Sequence, residues 1–221
     1  MEKETFKAVP QPTLRRLAQY HHRLKQLEAL GHDTVSCTTL AADLKLVPTQ
    51  IRKDLEFSTL TGQAGIGFRL TDLINSIETV LGWDNTTDAV LAGAGSLGTA
   101  LLGYERFSRI GLNIVAGFDI DGSKAGIKIH GKPILPLDKM TNLVQRMKIK
   151  IGIITVPAEV AQIVTNLMLA GGIRAIWNFA PVILETPPTI VVENVSLASS
   201  YAVLSNRLLE ATKTKPSTKP S

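Results

Sequence analysis

Residues 89–98 read Ala89-Val90-Leu91-Ala92-Gly93-Ala94-Gly95-Ser96-Leu97-Gly98, a short apolar run that ends in glycines spaced G-x-G-x-x-G. An apolar run stopped by glycine is the pattern of a buried strand entering a tight turn, and helical spacing resumes over Leu97–Phe107. In a strand–turn–helix unit each glycine has its own task. Gly93 permits the sharp turn, Gly95 lets backbone N–H groups close on an anion, and Gly98 lets the helix lie against the strand. The next apolar segment, Ile114-Val115-Ala116-Gly117-Phe118-Asp119, ends in a carboxylate 21 residues past Gly98. A carboxylate there accepts hydrogen bonds from the adenosine ribose of a bound dinucleotide. It also repels a 2′-phosphate, and no arginine directly follows it, so NAD(H) is expected over NADP(H). An ordinary glycine-rich turn is the alternative; the flanking strand, helix and carboxylate weigh against it.

Outward from this stretch the second half of the chain alternates. Strand candidates are Ala89–Ala92, Asn113–Phe118, Ile149–Val156, Ala175–Phe179 and Ile190–Val192. Helical spacing lies between several of them, over Leu97–Phe107, Leu137–Met147 and Ala158–Leu169. Strands alternating with helices imply right-handed βαβ units, hence an α/β, Rossmann-like doubly wound parallel sheet. A last helix is expected from Ser196 to about Ala211, then a disordered Lys/Pro/Ser/Thr-rich tail over 212–221.

The first half has a different grammar. Leu14, Leu17, Tyr20, Leu24 and Leu27 fall at helical spacing before Gly31. Ser36 or Thr38 caps a short helix to Leu46, and Val47-Pro48-Thr49 opens another to about Phe57. Gly62–Arg69 suits a tight hairpin, and Thr71 caps a helix ending near Gly82. Helix, helix, turn, helix, hairpin, helix is the order of an N-terminal winged helix-turn-helix that reads DNA. A small helical bundle of other purpose shares that order. The expected divisions are residues 1–82 for the winged helix, 83–195 for the nucleotide-binding domain, 196–211 for the last helix and 212–221 for the tail.

Composition sets limits on function. The chain has 221 residues, 44% hydrophobic and 19% charged, enough for a core. No run approaches a membrane span, and the start, charged with both signs, lacks the apolar segment of a secretory signal. A soluble, cytoplasmic chain is expected. The single cysteine, Cys37, excludes an internal disulfide and a cysteine-rich zinc site; no metal site is expected, and Cys37 reads as a small buried hydrophobe. The net charge of +5 owes three of its lysines to the tail, so it says little about nucleic acid. Beyond Gly82 only 139 residues remain, His130 is the one histidine among them, and no Tyr-x-x-x-Lys pair occurs. That is a place for a cofactor with little machinery to use it. A sensor fits better than an enzyme.

The chain closely resembles the Rex family of redox-sensing transcriptional repressors. The resemblance rests on Thr13-Leu14-Arg15-Arg16-Leu17, Ile51-Arg52-Lys53-Asp54-Leu55, Gly93–Gly98, Phe118-Asp119-Ile120-Asp121, Ile153-Ile154-Thr155-Val156-Pro157-Ala158, Trp177-Asn178-Phe179-Ala180-Pro181-Val182 and Val192-Glu193-Asn194-Val195. It implies a homodimer whose last helix is exchanged with the partner subunit, and which binds inverted-repeat operator DNA until NADH releases it. Thr49, Gln50, Arg52 and Lys53 then meet the major groove, where arginine suits guanine, glutamine adenine and lysine phosphate or guanine, while Asp54 stays on a supporting face. Arg15 and Arg16 face phosphate. A solvated helix surface is the other reading of Arg52 and Lys53. Gly93, Ala94, Gly95, Ser96, Leu97 and Gly98, with Asp119, Ile120, Asp121 and Lys124, hold the dinucleotide. Thr155, Val156, Pro157, Asn178, Phe179, Ala180 and Pro181 line the nicotinamide pocket, with Tyr104 beside it. Phe179 as core and Lys124 as an exposed lysine are the competing readings.

Departures from the family pattern bear on function. The wing has Gln63-Ala64 where a basic pair is usual, and Ser58-Thr59 where Phe-Gly is usual. Ser96 stands where the family often has Asn or Arg, and Ser196 and His22 replace an Asp and an Arg linked to the kept Tyr104. Weaker operator contacts and weaker coupling to NADH are expected. The runner-up is a NAD(H)-binding dimer that has drifted from DNA, or a minimal oxidoreductase.

Overall fold

The computed structural model describes residues 8–58, 60–63 and 65–213. The chain divides into two compact units. One runs to Thr86 and takes back Arg106–Leu112; the other holds Thr87–Glu105 and the described residues from Asn113 on. The expected break after Gly82 thus falls four residues later. A short piece of the second half also returns to the first unit, because Arg106–Leu112 folds back onto the linker, where Gly111 lies against the backbone of Trp83 and Asn85.

In the first unit, α1 (Gln11–Ala29) packs along α4 (Leu70–Leu81). Leu17, Tyr20 and Leu24 of α1, Leu73 and Ile77 of α4, and Ile51 of α3 (Pro48–Leu55) are fully buried together. Before α3 comes α2 (Cys37–Leu44), capped by Ser36, whose Oγ accepts from Thr39 N at 3.0 Å. Cys37 is only half-buried, and loss of solvent raises its thiol pKa. Two strands complete the unit: β1 (Thr34–Val35) pairs antiparallel with β2 (Phe68–Arg69). The glycine segment is therefore less than the expected hairpin. Its turn is closed between Gln63 and Gly67, but the outgoing strand pairs with Thr34–Val35 ahead of α2. That pairing also corrects Thr71. Because Leu70 N donates to Asp33 O at 2.9 Å, strand runs directly into helix; α4 starts at Leu70 with no side-chain cap. Thr59 and Ala64 lie outside the described residues.

A buried carboxylate fastens α3 to α1. The Asp54 side chain is 2% exposed and accepts from Arg16 Nε at 2.6 Å, Arg16 Nη2 at 2.7 Å, Tyr20 OH at 2.8 Å and Thr13 Oγ1 at 3.0 Å. Burial works to raise its pKa, but the donors Arg16, Tyr20 and Thr13 hold it below the usual carboxylate value. A second contact, His21 Nε2 with Glu78 Oε1 at 2.7 Å, ties α1 to α4, and the His21 ring meets Trp83 edge-on at 5.1 Å.

The second unit is a seven-stranded sheet with β3 (Thr87–Ala92) near its middle. Around it lie β4 (Leu112–Asp119), β5 (Lys128–Ile129), β6 (Lys132–Pro136), β7 (Ile151–Ile154), β8 (Ala175–Asn178) and β9 (Val191–Asn194), in the order β5-β6-β4-β3-β7-β8-β9. Pairs β4/β6, β3/β7, β7/β8 and β8/β9 are parallel, and β5 runs antiparallel on β6. Setting β5 aside and counting from β3, the order is the 3-2-1-4-5-6 of a doubly wound nucleotide-binding sheet, with its switch point between β3 and β7. Valines, isoleucines and Phe118 of these strands share one core with Met140, Val144, Val164 and Met168. The β5–β6 hairpin turns through His130 (φ +49°) and Gly131 (φ +78°), both left-handed as a two-residue hairpin requires. His130 is thus a turn residue.

Helix boundaries in this unit also differ from expectation. The helix after the fingerprint, α5 (Ser96–Leu102), stops at Gly103, and Arg106–Arg109 forms a separate turn, α6. Gly103 packs so closely on the His130 ring that an added Cβ would lie 2.5 Å from it. The next, α7 (Met140–Met147), follows a 3-10 turn at Leu137–Lys139. After α8 (Ala158–Gly171), the last helix, α9 (Leu197–Lys213), runs two residues past its expected end; residues 214–221 of the tail lie outside the described residues.

Replacing Asp54 by Ala should destabilise the first unit by about 2–4 kcal/mol at neutral pH, because it strands the Arg16, Tyr20 and Thr13 donors. Asp54's folded pKa is depressed, so its contribution is complete above the unfolded value of about 4 and is lost as pH falls through the folded one. Denaturant melts of wild type and variant should therefore converge in acid; a gap that persists well below both values would assign the effect to packing.

Candidate functional site

The crevice forms where β3 and β7 part. Thr155, one residue past β7, donates its backbone N–H to Ala92 O at 2.9 Å and sets its hydroxyl 2.8 Å from Gly93 O. Gly93 takes φ +98°, and a Cβ on it would lie 2.7 Å from Thr155 O. A Cβ on Gly98 would lie 1.8 Å from Gly93 O, so α5 seats against the strand only as glycine. Gly95 is the opposite case. A Cβ there meets nothing within 4 Å, and its φ of −78° suits any residue. Its hydrogen faces open space at the start of α5, where the opening N–H groups have no intrahelical acceptor and the dipole favours an anion.

At the end of β4, Asp119 Oδ2 accepts from Ala94 N at 2.8 Å and from Lys124 Nζ at 3.0 Å, and Oδ1 accepts from Asp121 N at 2.9 Å. Burial favours a raised pKa; the Asp121 and Ala94 N–H groups and the Lys124 ammonium prevail and lower it. The group is a carboxylate at neutral pH, acceptor-only. Beside it opens a cavity of about 270 Å³ that brings together Gly93, Gly95, Asp119, Ile120, Lys124, Thr155, Val156 and Pro157. Its remaining wall is apolar: Phe118, Leu137, Val160, Ile163 and Val164. An anion-accepting turn, a carboxylate and an apolar slot fit the pyrophosphate, ribose and base of a dinucleotide.

The other candidate surface belongs to the first unit. On α3, Ile51, Asp54 and Leu55 face inward, while Thr49, Arg52 and Lys53 are exposed on one face. Arg52 also borders a groove of about 420 Å³ between Ser36–Thr38 and the glycine turn at Gly62–Gly67. Cationic side chains on a helix beside a groove suit a polyanion.

Residues 84–182 match the family model of a CoA binding domain. Residues 8–56 match that of the "Putative DNA-binding protein N-terminus". The redox-sensing transcriptional repressor Rex of Bacteroides fragilis is 42% identical over 200 residues, covering 90% of this chain and 91% of its own length. RSP, a Rex-family repressor, in complex with β-NAD+ and operator DNA, has a TM-score of 0.87 at 33% identity over 96% of this chain and 100% of its own. RSP with β-NADH has a TM-score of 0.84 at 32% identity, over 93% and 97%. The chain belongs to the Rex family. Its curated relatives carry the name of redox-sensing transcriptional repressors.

Not every residue expected from the sequence lines the cavity or lies free at the surface of this Rex chain. Arg16 commits Nε and Nη2 to Asp54 and is a structural cation before it is a phosphate contact; Arg15 is the exposed member of the pair. Asp121 caps the turn Gly122–Lys124, accepting from Ser123 N and Oγ, and lies outside the cavity wall. Asn178 is buried. Its amide donates to Val182 O and Asn194 Oδ1 and accepts from Ala180 N, so it shapes the following loop from below. Phe179 is half-buried against Trp177 at 5.1 Å, Ala180 is buried and Pro181 exposed; none of these four lines the cavity. Tyr104 is half-exposed beyond the C-terminal end of α5, away from the glycine turn at its start. His22 contacts Gln26, and Ser196 caps α9 through Ser199 N. Sequence reasoning missed Phe118, Leu137, Val160, Ile163 and Val164; the last three form a helical stripe just after Pro157, which was the available signal. Among the described residues no His/Cys/Asp/Glu group is placed to hold a metal, and no helix is long and apolar enough to cross a membrane.

The two glycines can be separated experimentally. Gly95→Ala should leave the melting temperature unchanged yet weaken NADH, the ligand expected from sequence, by tenfold or more, since its methyl enters only the ligand's space. Gly98→Ala should instead destabilise the second unit by about 1–3 kcal/mol through overpacking. Calorimetry and thermal melts on both variants check the contrast; equal NADH affinity in Gly95→Ala would place the anion elsewhere.

Proposed function

We propose that this Rex protein is a redox-sensing transcriptional repressor that binds NAD(H) in the Asp119 crevice and inverted-repeat operator DNA through α3. The observation that carries the reading is the ionised Asp119 at the edge of the open Gly95 turn. It supports recognition of an unphosphorylated adenosine ribose and disfavours NADP(H). RSP, solved with NADH and with NAD+ plus operator DNA, supports the pairing of the two ligands. Thr49, Gln50, Arg52 and Lys53 meet the major groove, and Arg15 a phosphate. The loop that Asn178 shapes, with Phe179 and Pro181, covers the nicotinamide.

The working form is a homodimer. On α9, Leu197, Tyr201, Leu204 and Leu208 repeat at helical spacing and are 73%, 69%, 65% and 64% exposed, a stripe that buries itself on a second copy. NADH and DNA use different units, so NADH releases DNA by favouring a dimer geometry in which the two α3 helices no longer match the half-site spacing. The site of action is the cytoplasm.

The test is a gel shift on inverted-repeat DNA. NADH should release the complex at concentrations where NADPH does not, and Asp119→Ala should narrow the difference between them. Arg52→Ala should cost about 1–3 kcal/mol of operator affinity, and Lys53→Ala should flatten the salt dependence. Hydride transfer to a small substrate, or NADPH matching NADH, would overturn the reading.

A further inference from the structure

The exposed face of α3 has an asymmetric flank. At about 100° per residue, Gln50 lies between Lys53, which is exposed, and Asp54, which is buried. Its half-buried side chain reaches one turn forward, and Nε2 donates to Asp54 Oδ1 at 3.1 Å. The orientation of that amide follows from its partner. Asp54 is an ionised carboxylate already receiving donors from Arg16, Tyr20 and Thr13, and a carboxylate offers no hydrogen to an amide oxygen. The NH2 end must therefore face Asp54. The carbonyl oxygen and the second N–H of Gln50 are left for the outward edge. That edge, one acceptor beside one donor, complements the N6 amino group and N7 of adenine in the major groove. Guanine offers O6 and N7, two acceptors, and would set its O6 against the amide oxygen.

We propose that Gln50 selects adenine over guanine at one position of each half-site, and that Asp54, from inside the fold, fixes the amide edge that does so. This rests on the assignment of α3 as the DNA reader. Gln50 is the residue that touches the base; Asp54 is a positioning residue. The arrangement removes a freedom that an isolated glutamine has, since a free amide flips by half a turn and then presents the opposite pattern. Four side chains that pack α3 onto α1 thereby also set a recognition preference.

The probe is a library of inverted-repeat duplexes with randomised half-sites, selected on the full-length dimer and read by sequencing. Wild type should show a position where adenine is favoured over guanine by about tenfold or more. Gln50→Ala should erase the preference at that position and spare the others. Gln50→Glu, repelled by Asp54 and offering only acceptors outward, should shift it to cytosine, whose N4 donates. Asp54→Asn, which lets the Gln50 amide flip, should reduce the adenine-to-guanine ratio severalfold while its NADH titration stays unchanged. The proposal is overturned if Gln50→Ala leaves every position's preference intact, or if the position it affects favours guanine in the wild type. A folded Asp54→Asn with the full wild-type ratio removes the positioning role; if that variant does not fold, Gln50→Glu retaining adenine does so instead. Should Arg52→Ala also leave binding untouched, it is the reading of α3 that fails.

Discussion

The carbonyl of Gly93 sits in a gap with no spare room. On one side the Thr155 hydroxyl holds it at 2.8 Å; on the other it lies where a Cβ of Gly98 would be. That crowding fixes how α5 leaves β3 and how closely β7 approaches it, and those two distances create the crevice. Were either contact looser, the opening turn of α5 would not point into the switch point of the sheet, and Asp119 at the end of β4 would have no anion-accepting turn beside it. Gly95 escapes the crowding, and its empty side is the part of the loop left for a ligand.

Two carboxylates show how burial and partners divide their work. Both have depressed pKa values despite burial, because donors outweigh desolvation. Asp54 is enclosed, with its donors drawn from α1 and α3 of one unit, and its first task is to hold a helix at a fixed angle. Asp119 shares the wall of an open cavity with Lys124, so it remains in reach of hydroxyl donors from a bound ribose. The same residue type is a structural bolt in one unit and a selectivity element in the other. The difference lies in access, not intrinsic acidity.

Much was legible in the order of residues because the relevant constraints are local. Glycine spacing, apolar strand runs and a carboxylate at a set distance all act within a βαβ unit, so the doubly wound sheet and the Asp119 crevice follow from them. Helix ends were less legible. Thr71 has the chemistry of a cap, yet β2 delivers the chain into α4 two residues earlier, with Arg69 at the cap position and a bond from Leu70 to Asp33. Gly103 has no room for a side chain because a distant hairpin places His130 against it, a contact no local pattern encodes.

What the sequence by itself determined is the two-part architecture, the glycine turn and the acidic end of β4, each set by periodicity or by short-range sterics, and, through resemblance, the family. The tertiary structure alone decided which of the matching side chains are available. Arg16 and Asn178 carry the same motifs as their neighbours, but one is drawn to a buried carboxylate and the other to a loop. The stripe of Val160, Ile163 and Val164 becomes a cavity wall only because the fold sets α8 across the cavity from the end of β4. The physical reason is that a motif specifies chemistry and spacing along the chain, whereas a polar group's role depends on which partners long-range packing brings within hydrogen-bond distance.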